Sequence, residues 1–597
     1  MRHSPLVSSP RPAREDDDLT SCDGSLPGES LARLGDLALL PLTGGFSACA
    51  SQEAFMDGFL HLMDAPEKQQ EIWAGANRAV EQLQNAGLYA LTPDGNPFVD
   101  LTLRDKRFQD AAWQAWPFNL LSQSFLLAER WADSATSGID GVSPHHEKVM
   151  GFRSRLWMDC FSPSNGFWTN PEVLAHSLAT GGTSLVRGFL NLADDRQRAL
   201  AGRPAAGVEA FGVGETVAVT PGKVVFRNRL VELIRYDATT AEVLPEPVLI
   251  VPAWIMKFYI LDLGPANSLV GYLVGQGHTV FMVSWLNPLE ADRDLALDDY
   301  LRLGVMAALE AIGAALPGRK VHAAGYCLGG TLLAMAAAAM ARDGDERLAS
   351  LSLLAAQTDF SEPGRLSLFI DEAQIACLEQ LMSFRGYLDT AQMAAAFRMM
   401  NAPDLIWSRL VADYLQGERR PMTDLAAWNL DGTRLPARMH GEYLRQLYLH
   451  NDLAEGRYPV GGTPVDLHDI DLPVFCLGTL SDQVAPWRSV YKLHGLTAAG
   501  ITFVLTPGGH NAGIVAPPGG PGGGGYQSLV REPGSPPLDA DRWLEAAGRH
   551  GGSWWTAWSA WLARHSGAAL PRASRRHATA AAAAALCDAP GTYVLAA

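Results

Sequence analysis

Short apolar runs alternate with helical segments in the part of the chain that follows about residue 210. Residues 298–316 have a helical pattern, with one apolar face formed by Leu301, Val305, Leu309, Ile312 and Leu316. The apolar runs predict buried strands at 248–251, 279–283, 348–355, 473–477 and 502–505. Strands that alternate with helices predict a mostly parallel sheet with helices on both faces, so the expected fold class is α/β.

The sharpest local pattern is Gly325-x-Cys327-x-Gly329, which lies between a predicted strand at 320–324 and a helix of small residues. This is the nucleophile elbow of α/β-hydrolases, with cysteine in place of serine. The helix N-terminus favours a thiolate at Cys327, and the Leu328 N–H can face a developing oxyanion. An inert buried cysteine beside turn glycines is the alternative, but the strand–turn–helix context favours a catalytic nucleophile.

A nucleophile of this kind needs a base, and the base needs a group that orients it. In α/β-hydrolases the order along the chain is nucleophile, acid and histidine, each in a loop after a strand. Asp482 follows the strand at 473–477, and His510 follows the strand at 502–505. Asp359, after the strand at 348–355, is a rival acid. The second oxyanion donor is expected from the loop after 248–251, as the backbone N–H of Trp254 or Ile255.

The chain divides into three predicted parts. Residues 1–30 are rich in Ser, Pro and acidic residues and are expected to form a disordered tail. Residues 31–210 are expected to form a mainly helical N-terminal domain, and 211–597 the α/β-hydrolase-like catalytic domain. The strand–helix alternation stops between about 357 and 470, where a helical insertion is expected to cap the edge of the sheet that holds the site.

Charge and cysteine content exclude several classes of protein. The net charge of −17 argues against a nucleic-acid binder, because phosphate contacts need a basic face. Seven cysteines with no C-x-x-C pattern make a disulfide framework or a thiolate zinc site unexpected, and they favour a cytoplasmic protein. The N-terminus lacks the apolar region of a secretory signal, and the uncharged stretch 323–341 suits a buried turn and core helix better than a transmembrane span.

Several long segments are similar to poly(3-hydroxyalkanoate) synthases, and most similar to their single-subunit class I type. They run in order from about residue 100 to the C-terminus: SPSNGFWTNPEVL (162–174), VLIVPAWIMKFYILDLGPANSLVGYLVGQGHTVFMVSWLNP (248–288), AAGYCLGGT (323–331), LAAWNLDGTRLP (425–436), SDQVAPWRSVY (481–491), GGHNAGIV (508–515), GSWWTAWSAWLARHSG (552–567) and APGTYV (589–594).

The resemblance implies an acyltransferase that polymerises (R)-3-hydroxyacyl-CoA, with 3-hydroxybutyryl-CoA as the expected substrate, into a polyester and releases CoA. By the same resemblance Cys327 is the acyl-accepting nucleophile, Asp482 the acid and His510 the base, although the family also permits Asp482 to act more directly on the hydroxyl. No metal or redox cofactor is implied. The expected partners are the growing polyester, the surface of a cytoplasmic granule and a second copy in a homodimer.

The sequence also departs from the family pattern beside the site. Gln483 follows the acid where histidine is usual, Asn511 follows the catalytic histidine where isoleucine is usual, and the loop at 252–257 reads Pro-Ala-Trp-Ile-Met-Lys. None of these changes removes a member of the triad. Two other functions stay open: a cysteine-dependent α/β-hydrolase or thioesterase that releases free hydroxy acid, and a non-catalytic protein that coats or scaffolds polymer granules.

Overall fold

The computed structural model describes residues 47–89, 105–520, 524–572 and 585–596. The tail predicted at 1–30 lies outside these residues. Helices run from Ala48 to Leu200, and the first strand begins at Lys223. The described N-terminal region is therefore mainly helical, and the sheet belongs to the later part of the chain.

Eleven strands form one large sheet in the described chain. They are β1 Lys223–Arg227, β2 Val231–Tyr236, β3 Val248–Val251, β4 Val280–Trp285, β5 Val321–Tyr326, β6 Leu348–Leu354, β7 Val474–Thr479, β8 Ile501–Thr506, β9 Tyr526–Arg531, β10 Gly548–His550 and β11 Cys587–Asp588. The spatial order is β10-β9-β8-β7-β6-β5-β3-β4-β2-β1-β11. The six central strands, β3 to β8, are parallel, and the flanking strands pair antiparallel.

This architecture confirms the α/β fold with a mostly parallel sheet that the alternating pattern predicted. Each predicted strand lies within two residues of an observed one, and all six are the buried parallel strands at the centre of the sheet. Parallel strands are buried on both faces and therefore read as continuous apolar runs, which makes them easy to recognise. The antiparallel strands β1, β2, β9, β10 and β11 were not predicted, since they are short or their apolar residues are interrupted by charged ones.

Six helices make up the described N-terminal region: α1 Ala48–Met63, α2 Pro66–Tyr89, α3 Phe118–Ala135, α4 Pro144–Cys160, α5 Pro171–Ala179 and α6 Thr183–Leu200. Side-chain caps begin several of them. Ser143 accepts from the N–H of His146 at the start of α4, and Asn170 accepts from Glu172 and Val173 at the start of α5.

The helices that pack on the sheet are α7 Leu269–Gly275, α8 Ala307–Ala315 and α9 Leu328–Arg342, followed after the insertion by α14 Trp487–Tyr491, α15 Ala540–Ala546 and α16 Trp554–Arg564. The helix predicted over 298–316 is interrupted, because Tyr300–Met306 is a π-helix that precedes α8. Helix α9 is buried from Leu328 to Met340, which confirms a turn and core helix at 323–341. No helix among the described residues is long and apolar enough to cross a bilayer.

The segment between β6 and β7 is helical and forms a cap. Its helices are α10 Glu372–Arg385, α11 Thr390–Met400, α12 Asp424–Trp428 and α13 Ala437–Glu442, with π-helical segments at Pro403–Trp407, Val411–Leu415 and Tyr443–Leu449. A short two-stranded pair, Tyr387–Leu388 with Leu435–Pro436, ties the segment together. The cap follows the carboxyl end of β6, so it lies at the edge of the sheet where α/β sites form.

Candidate active site

Cys327 lies on the sharp turn between β5 and α9. Its backbone φ is +52°, an uncommon conformation that costs a non-glycine residue on the order of 1–3 kcal/mol and is typical of functional sites. The Cys327 N–H donates to the Leu354 carbonyl at the end of β6, 2.9 Å away, and this bond helps to hold the turn. The side chain is buried at the N-terminus of α9.

The turn needs its glycines because backbone passes too close for any side chain. A Cβ on Gly329 would lie 2.1 Å from the Val251 carbonyl oxygen, and a Cβ on Gly325 would lie 2.3 Å from the Gly330 Cα. Both contacts are with backbone that cannot move aside. The glycines therefore bring the N-terminus of α9 against the carboxyl end of β3, where the loop predicted to supply an oxyanion donor begins.

Asp482 lies in the loop after β7, and its side chain is fully enclosed by protein. Its Oδ1 accepts from the N–H groups of Val484 and Ala485 at 2.8 and 2.9 Å, and its Oδ2 accepts from the Thr479 hydroxyl at 3.0 Å. Burial alone would raise the pKa of Asp482, but the charge of His510 and these hydrogen bonds hold it below its usual value. Asp482 is therefore a carboxylate in the folded protein.

His510 lies in the loop after β8, and its Nδ1 is 2.8 Å from Asp482 Oδ2. With Nδ1 bound to the acid, Nε2 is left to accept the proton of Cys327. Burial alone would lower the pKa of His510, but the charges of Asp482 and Cys327 raise it well above its usual value. The pair therefore stabilises the imidazolium that forms when His510 takes the proton of a nucleophile.

The structure separates the two candidate acids. Asp359, in the loop after β6, accepts from the Ser361 N–H at 2.8 Å and from Asn451 Nδ2 at 3.3 Å, and it also accepts from the Ser361 hydroxyl. These bonds shape a local turn, whereas the carboxylate hydrogen-bonded to His510 is that of Asp482. The catalytic roles themselves remain predictions.

Two neighbours of His510 were missed from the sequence. The Tyr326 ring lies against the imidazole with a centroid distance of 5.4 Å, and the Tyr326 hydroxyl donates to Asn511 Oδ1 at 2.7 Å. Asn511 Nδ2 in turn donates to Asn429 Oδ1 of the cap at 2.9 Å. Asn511, which departs from the family pattern, therefore joins the loop that carries His510 to the cap. The only signal in the sequence for this contact was asparagine at position 511, where the family usually has isoleucine.

Leu328 and Ile255 line the same cavity as Cys327, which suits the predicted oxyanion donors. Leu328 is the first residue of α9, where an N–H has no partner within its own helix. The cap residue Thr433 holds the other loop, because its hydroxyl donates to the Trp254 carbonyl and its N–H to the Ile255 carbonyl. Trp254 packs its side chain against the rings of Tyr300 and Tyr443. Which N–H binds an oxyanion stays a prediction.

A cavity of about 940 Å³, counted with its open mouth, lies between Cys327 and the cap. None of its lining residues is Asp, Glu, Lys or Arg. Cap side chains such as Phe369, Leu378, Met393 and Phe397 form one wall, and Cys327, Leu328 and Val484 form the other. The cavity therefore suits an apolar acyl chain, and a charged nucleotide would have to stay outside its walls.

Two tyrosine hydroxyls enter this apolar lining. Tyr443 and Tyr448 lie five residues apart on the π-helix Tyr443–Leu449, which returns them to nearly the same face. The Tyr443 hydroxyl donates to the Tyr448 hydroxyl at 3.2 Å. Burial raises the pKa of both phenols, with the nearby Cys327 side chain adding to the effect, so both stay protonated. A five-residue spacing has no meaning on an α-helix, which is why the sequence did not reveal this pair.

The described residues contain no group of three or more His, Cys, Asp or Glu side chains that could hold a metal ion. A strained cysteine after β5, a buried carboxylate after β7 and a histidine after β8 define an α/β-hydrolase-fold protein with a cysteine at the nucleophile position. Such a site suits acyl transfer.

Comparisons with known proteins identify the family. Residues 104–273 match the model described as "Poly-beta-hydroxybutyrate polymerase (PhaC) N-terminus", and residues 246–517 match the alpha/beta hydrolase fold. A poly(3-hydroxyalkanoate) polymerase of Methylorubrum extorquens is 43% identical over 83% of this chain and 82% of its own length. The PhaC subunit of the polymerase of Rhizobium etli is 39% identical over 83% of this chain and 77% of its own length. The PhaC subunit of the polymerase of Cupriavidus necator is 35% identical over 85% of this chain and 86% of its own length. The chain belongs to the poly(3-hydroxyalkanoate) polymerase family.

Proposed function

We propose that this protein is an acyltransferase that polymerises (R)-3-hydroxyacyl-CoA, with (R)-3-hydroxybutyryl-CoA as the expected substrate, into polyester and releases CoA. The observation that carries the proposal is the Cys327–His510–Asp482 arrangement, with Cys327 in the wall of an apolar cavity, in a chain of this family. A thiol nucleophile suits the reaction, because exchange between two thioesters is nearly balanced and the acyl group stays activated.

In the first step His510 takes the Sγ proton of Cys327, and the thiolate attacks the thioester carbonyl. The carbonyl oxygen becomes an oxyanion that faces the N–H of Leu328 and that of Ile255 or Trp254. The bond from the carbonyl carbon to the CoA sulfur then breaks, and the leaving CoA thiolate takes the proton from His510. The products are an acyl-cysteine and free CoA.

Chain growth uses the same groups. The 3-hydroxyl of an incoming 3-hydroxyacyl-CoA attacks the acyl-cysteine carbonyl, an ester bond forms, and the bond to Cys327 Sγ breaks. His510 takes the hydroxyl proton and passes it to the cysteine, and the extended chain returns to Cys327 by the first step. His510 is the preferred base, because both Asp482 oxygens are occupied by donors and the Asp482 side chain is fully enclosed, whereas that of His510 is 13% exposed.

The acyl-cysteine must be kept from water if the product is to be a polymer. The apolar cavity under the cap supports this requirement, since its walls offer water few hydrogen bonds. Each step moves only protons and an acyl group. The proposal therefore requires no metal or redox cofactor, and CoA takes part as a portion of the substrate.

We further propose that the protein works in the cytoplasm as a homodimer, at the surface of a polyester granule. An insoluble product that grows from Cys327 takes the enzyme to a boundary between water and polymer. Most of the large apolar side chains that are exposed in the described residues belong to the N-terminal helical region, and they offer a surface for such contacts.

One assay tests the activity. The protein is incubated with (R)-3-hydroxybutyryl-CoA, released CoA thiol is titrated, and chloroform-soluble polyester is weighed. We expect CoA release to match polymer mass, and a folded Cys327→Ala variant to give neither. Stoichiometric free hydroxy acid would instead identify a thioesterase. Unchanged CoA release by Cys327→Ala would refute the mechanism.

A further inference from the structure

His440 is a polar residue of the active-site cavity that the proposed mechanism does not use. It lies on α13, it is 2% exposed, and it lines the same cavity as Cys327. Nδ1 is enclosed by protein and has no hydrogen-bond partner. A buried polar group without a partner destabilises the folded protein, so an imidazole kept in this state calls for an explanation.

Other buried histidines show how His440 differs from a histidine with a purely structural role. His322 has two partners, the Ser350 hydroxyl at 2.7 Å and the Ser566 hydroxyl at 2.9 Å, which is how a structural histidine is normally satisfied. His278 and His494 have no partner at either ring nitrogen, but neither lines the cavity. Among the described histidines, His440 alone combines an unpartnered buried nitrogen with a place in the cavity wall.

The surroundings of His440 determine what it could bind. Its ring lies beside that of Tyr443, with a centroid distance of 6.0 Å, and Tyr443 and Tyr448 both lie near Cys327. Burial lowers the pKa of His440 to about 4, so at neutral pH the ring is uncharged and carries one N–H donor and one acceptor nitrogen. A ligand with both a donor and an acceptor, and with no charge, would satisfy it.

Other polar groups in the wall are largely occupied. Gln357 Nε2 donates to the Ser489 hydroxyl at 3.0 Å, Gln392 Oε1 accepts from the Asp389 N–H at 3.1 Å, and the Thr331 hydroxyl donates to the Gln357 carbonyl at 2.7 Å. His440 is thus a polar residue of a mostly apolar wall, and its Nδ1 has no hydrogen-bond partner in the described protein.

We propose that His440 is a specificity-determining residue that hydrogen-bonds the 3-hydroxyl of the acyl group held near Cys327. Apart from the carbonyl, this hydroxyl is the one polar group of a short 3-hydroxyacyl chain, and it both donates and accepts. The inference rests on the proposed function, since it names the part of the acyl group that the cavity recognises. It involves no change in covalent bonds.

The test compares two acyl donors that differ only in the hydroxyl, (R)-3-hydroxybutyryl-CoA and butyryl-CoA. Butyryl-CoA can acylate Cys327 but cannot extend a chain, so the readout is the rate of the first CoA release in a single turnover. We expect the wild-type protein to prefer the hydroxylated donor by about tenfold, the effect of one hydrogen bond worth about 1–1.5 kcal/mol. In His440→Phe this ratio should fall close to one, through a loss on the hydroxylated donor alone.

Matched variants separate recognition from folding. His494→Phe makes the same change at another buried, unpartnered histidine outside the cavity, and it should keep the wild-type ratio. His440→Asn and His440→Gln each retain polar atoms near one ring nitrogen, so one of them should restore part of the preference and also report if His440→Phe does not fold.

Two results would overturn the inference: a wild-type ratio near one, or a folded His440 variant that loses rate equally on both donors. Failure of both donors to acylate the wild-type Cys327 would count against the proposed function itself, so the two failures can be told apart.

Discussion

Asp482 remains charged in a fully enclosed position because every donor around its carboxylate is supplied by protein. The sequence predicted Cys327, Asp482 and His510 because each follows a strong apolar strand, and the carboxyl ends of parallel strands share one edge. It left Asp359 as a rival, since Asp359 also follows such a strand. Only coordinates show that Asp359 is bound to Ser361 and Asn451.

Replacing Asp482 or Asp359 with asparagine tests which of the two acids acts with His510. Asp482→Asn removes the negative charge that raises the pKa of His510, so the imidazolium is less stable and the proton of Cys327 is harder to remove. We expect CoA release to fall about 10³–10⁴-fold, and iodoacetamide labelling of Cys327 at pH 7 to slow about tenfold or more. Asp359→Asn should change both rates less than about twofold. A larger loss in Asp359→Asn than in Asp482→Asn would reverse the assignment.

The glycines of the turn lead to a second prediction. Gly329→Ala places a Cβ 2.1 Å from the Val251 carbonyl oxygen, and overpacking against backbone costs about 1–3 kcal/mol or more. We expect a lower denaturation midpoint and a loss of CoA release, because α9 and Cys327 are displaced together. Gly313→Ala in α8 is the matched control. No atom lies within 4 Å of its Cβ, so it should be neutral or stabilising by up to about 1 kcal/mol. Equal stability of the two variants would contradict the close approach.

The central parallel strands could be predicted from the sequence, and the interruptions of the helices could not. A helical pattern does not distinguish an α-helix from a π-helix, because the two differ by less than one residue per turn. Consequently the π-helices Tyr300–Met306 and Tyr443–Leu449, and the tyrosine pair on the second, are visible only in the structure. The bridge from Tyr326 through Asn511 to Asn429 also joins elements far apart in sequence, so no local pattern could reveal it.

This bridge gives a prediction with an internal control. Asn511→Leu leaves the buried Tyr326 hydroxyl without its strong acceptor, which should lower the free energy of unfolding by about 1–3 kcal/mol. Asn429→Ala removes only the exposed end and should cost less than about 1 kcal/mol. Adding Tyr326→Phe to Asn511→Leu removes the hydroxyl that has no acceptor, and it should recover most of the lost free energy of unfolding. Urea denaturation measures all three. A double variant no more stable than Asn511→Leu would show that Asn511 acts by another route.

The N-terminal helical region is bound to the cap. The Arg419 guanidinium donates to Asp194 at 2.9 Å and to Asp195 at 2.8 Å, both on α6. At the other end of the region, the Ser47 N–H donates to Gln374 Oε1 at 2.6 Å, and Gln374 lines the cavity. We therefore expect this region to hold the cap over Cys327 and to be needed for activity. Long-range contacts of this kind leave no local signature in sequence.

The last prediction concerns how the protein reaches a granule. If the product stays attached to Cys327 as it grows, the enzyme must follow it into the polymer phase, and a net charge of −17 opposes adsorption to an anionic bilayer. Substrate should therefore move wild-type protein from the supernatant to a sedimenting fraction, while Cys327→Ala stays in the supernatant because it cannot tether a chain. Sedimentation with preformed granules tests the other route, through exposed apolar residues such as Val186, Phe189 and Leu190 on α6. Changing these three to serine should reduce any adsorption that Cys327→Ala shows. If wild type and Cys327→Ala sediment equally on preformed granules, surface adsorption suffices and tethering is not what brings the enzyme to the polymer.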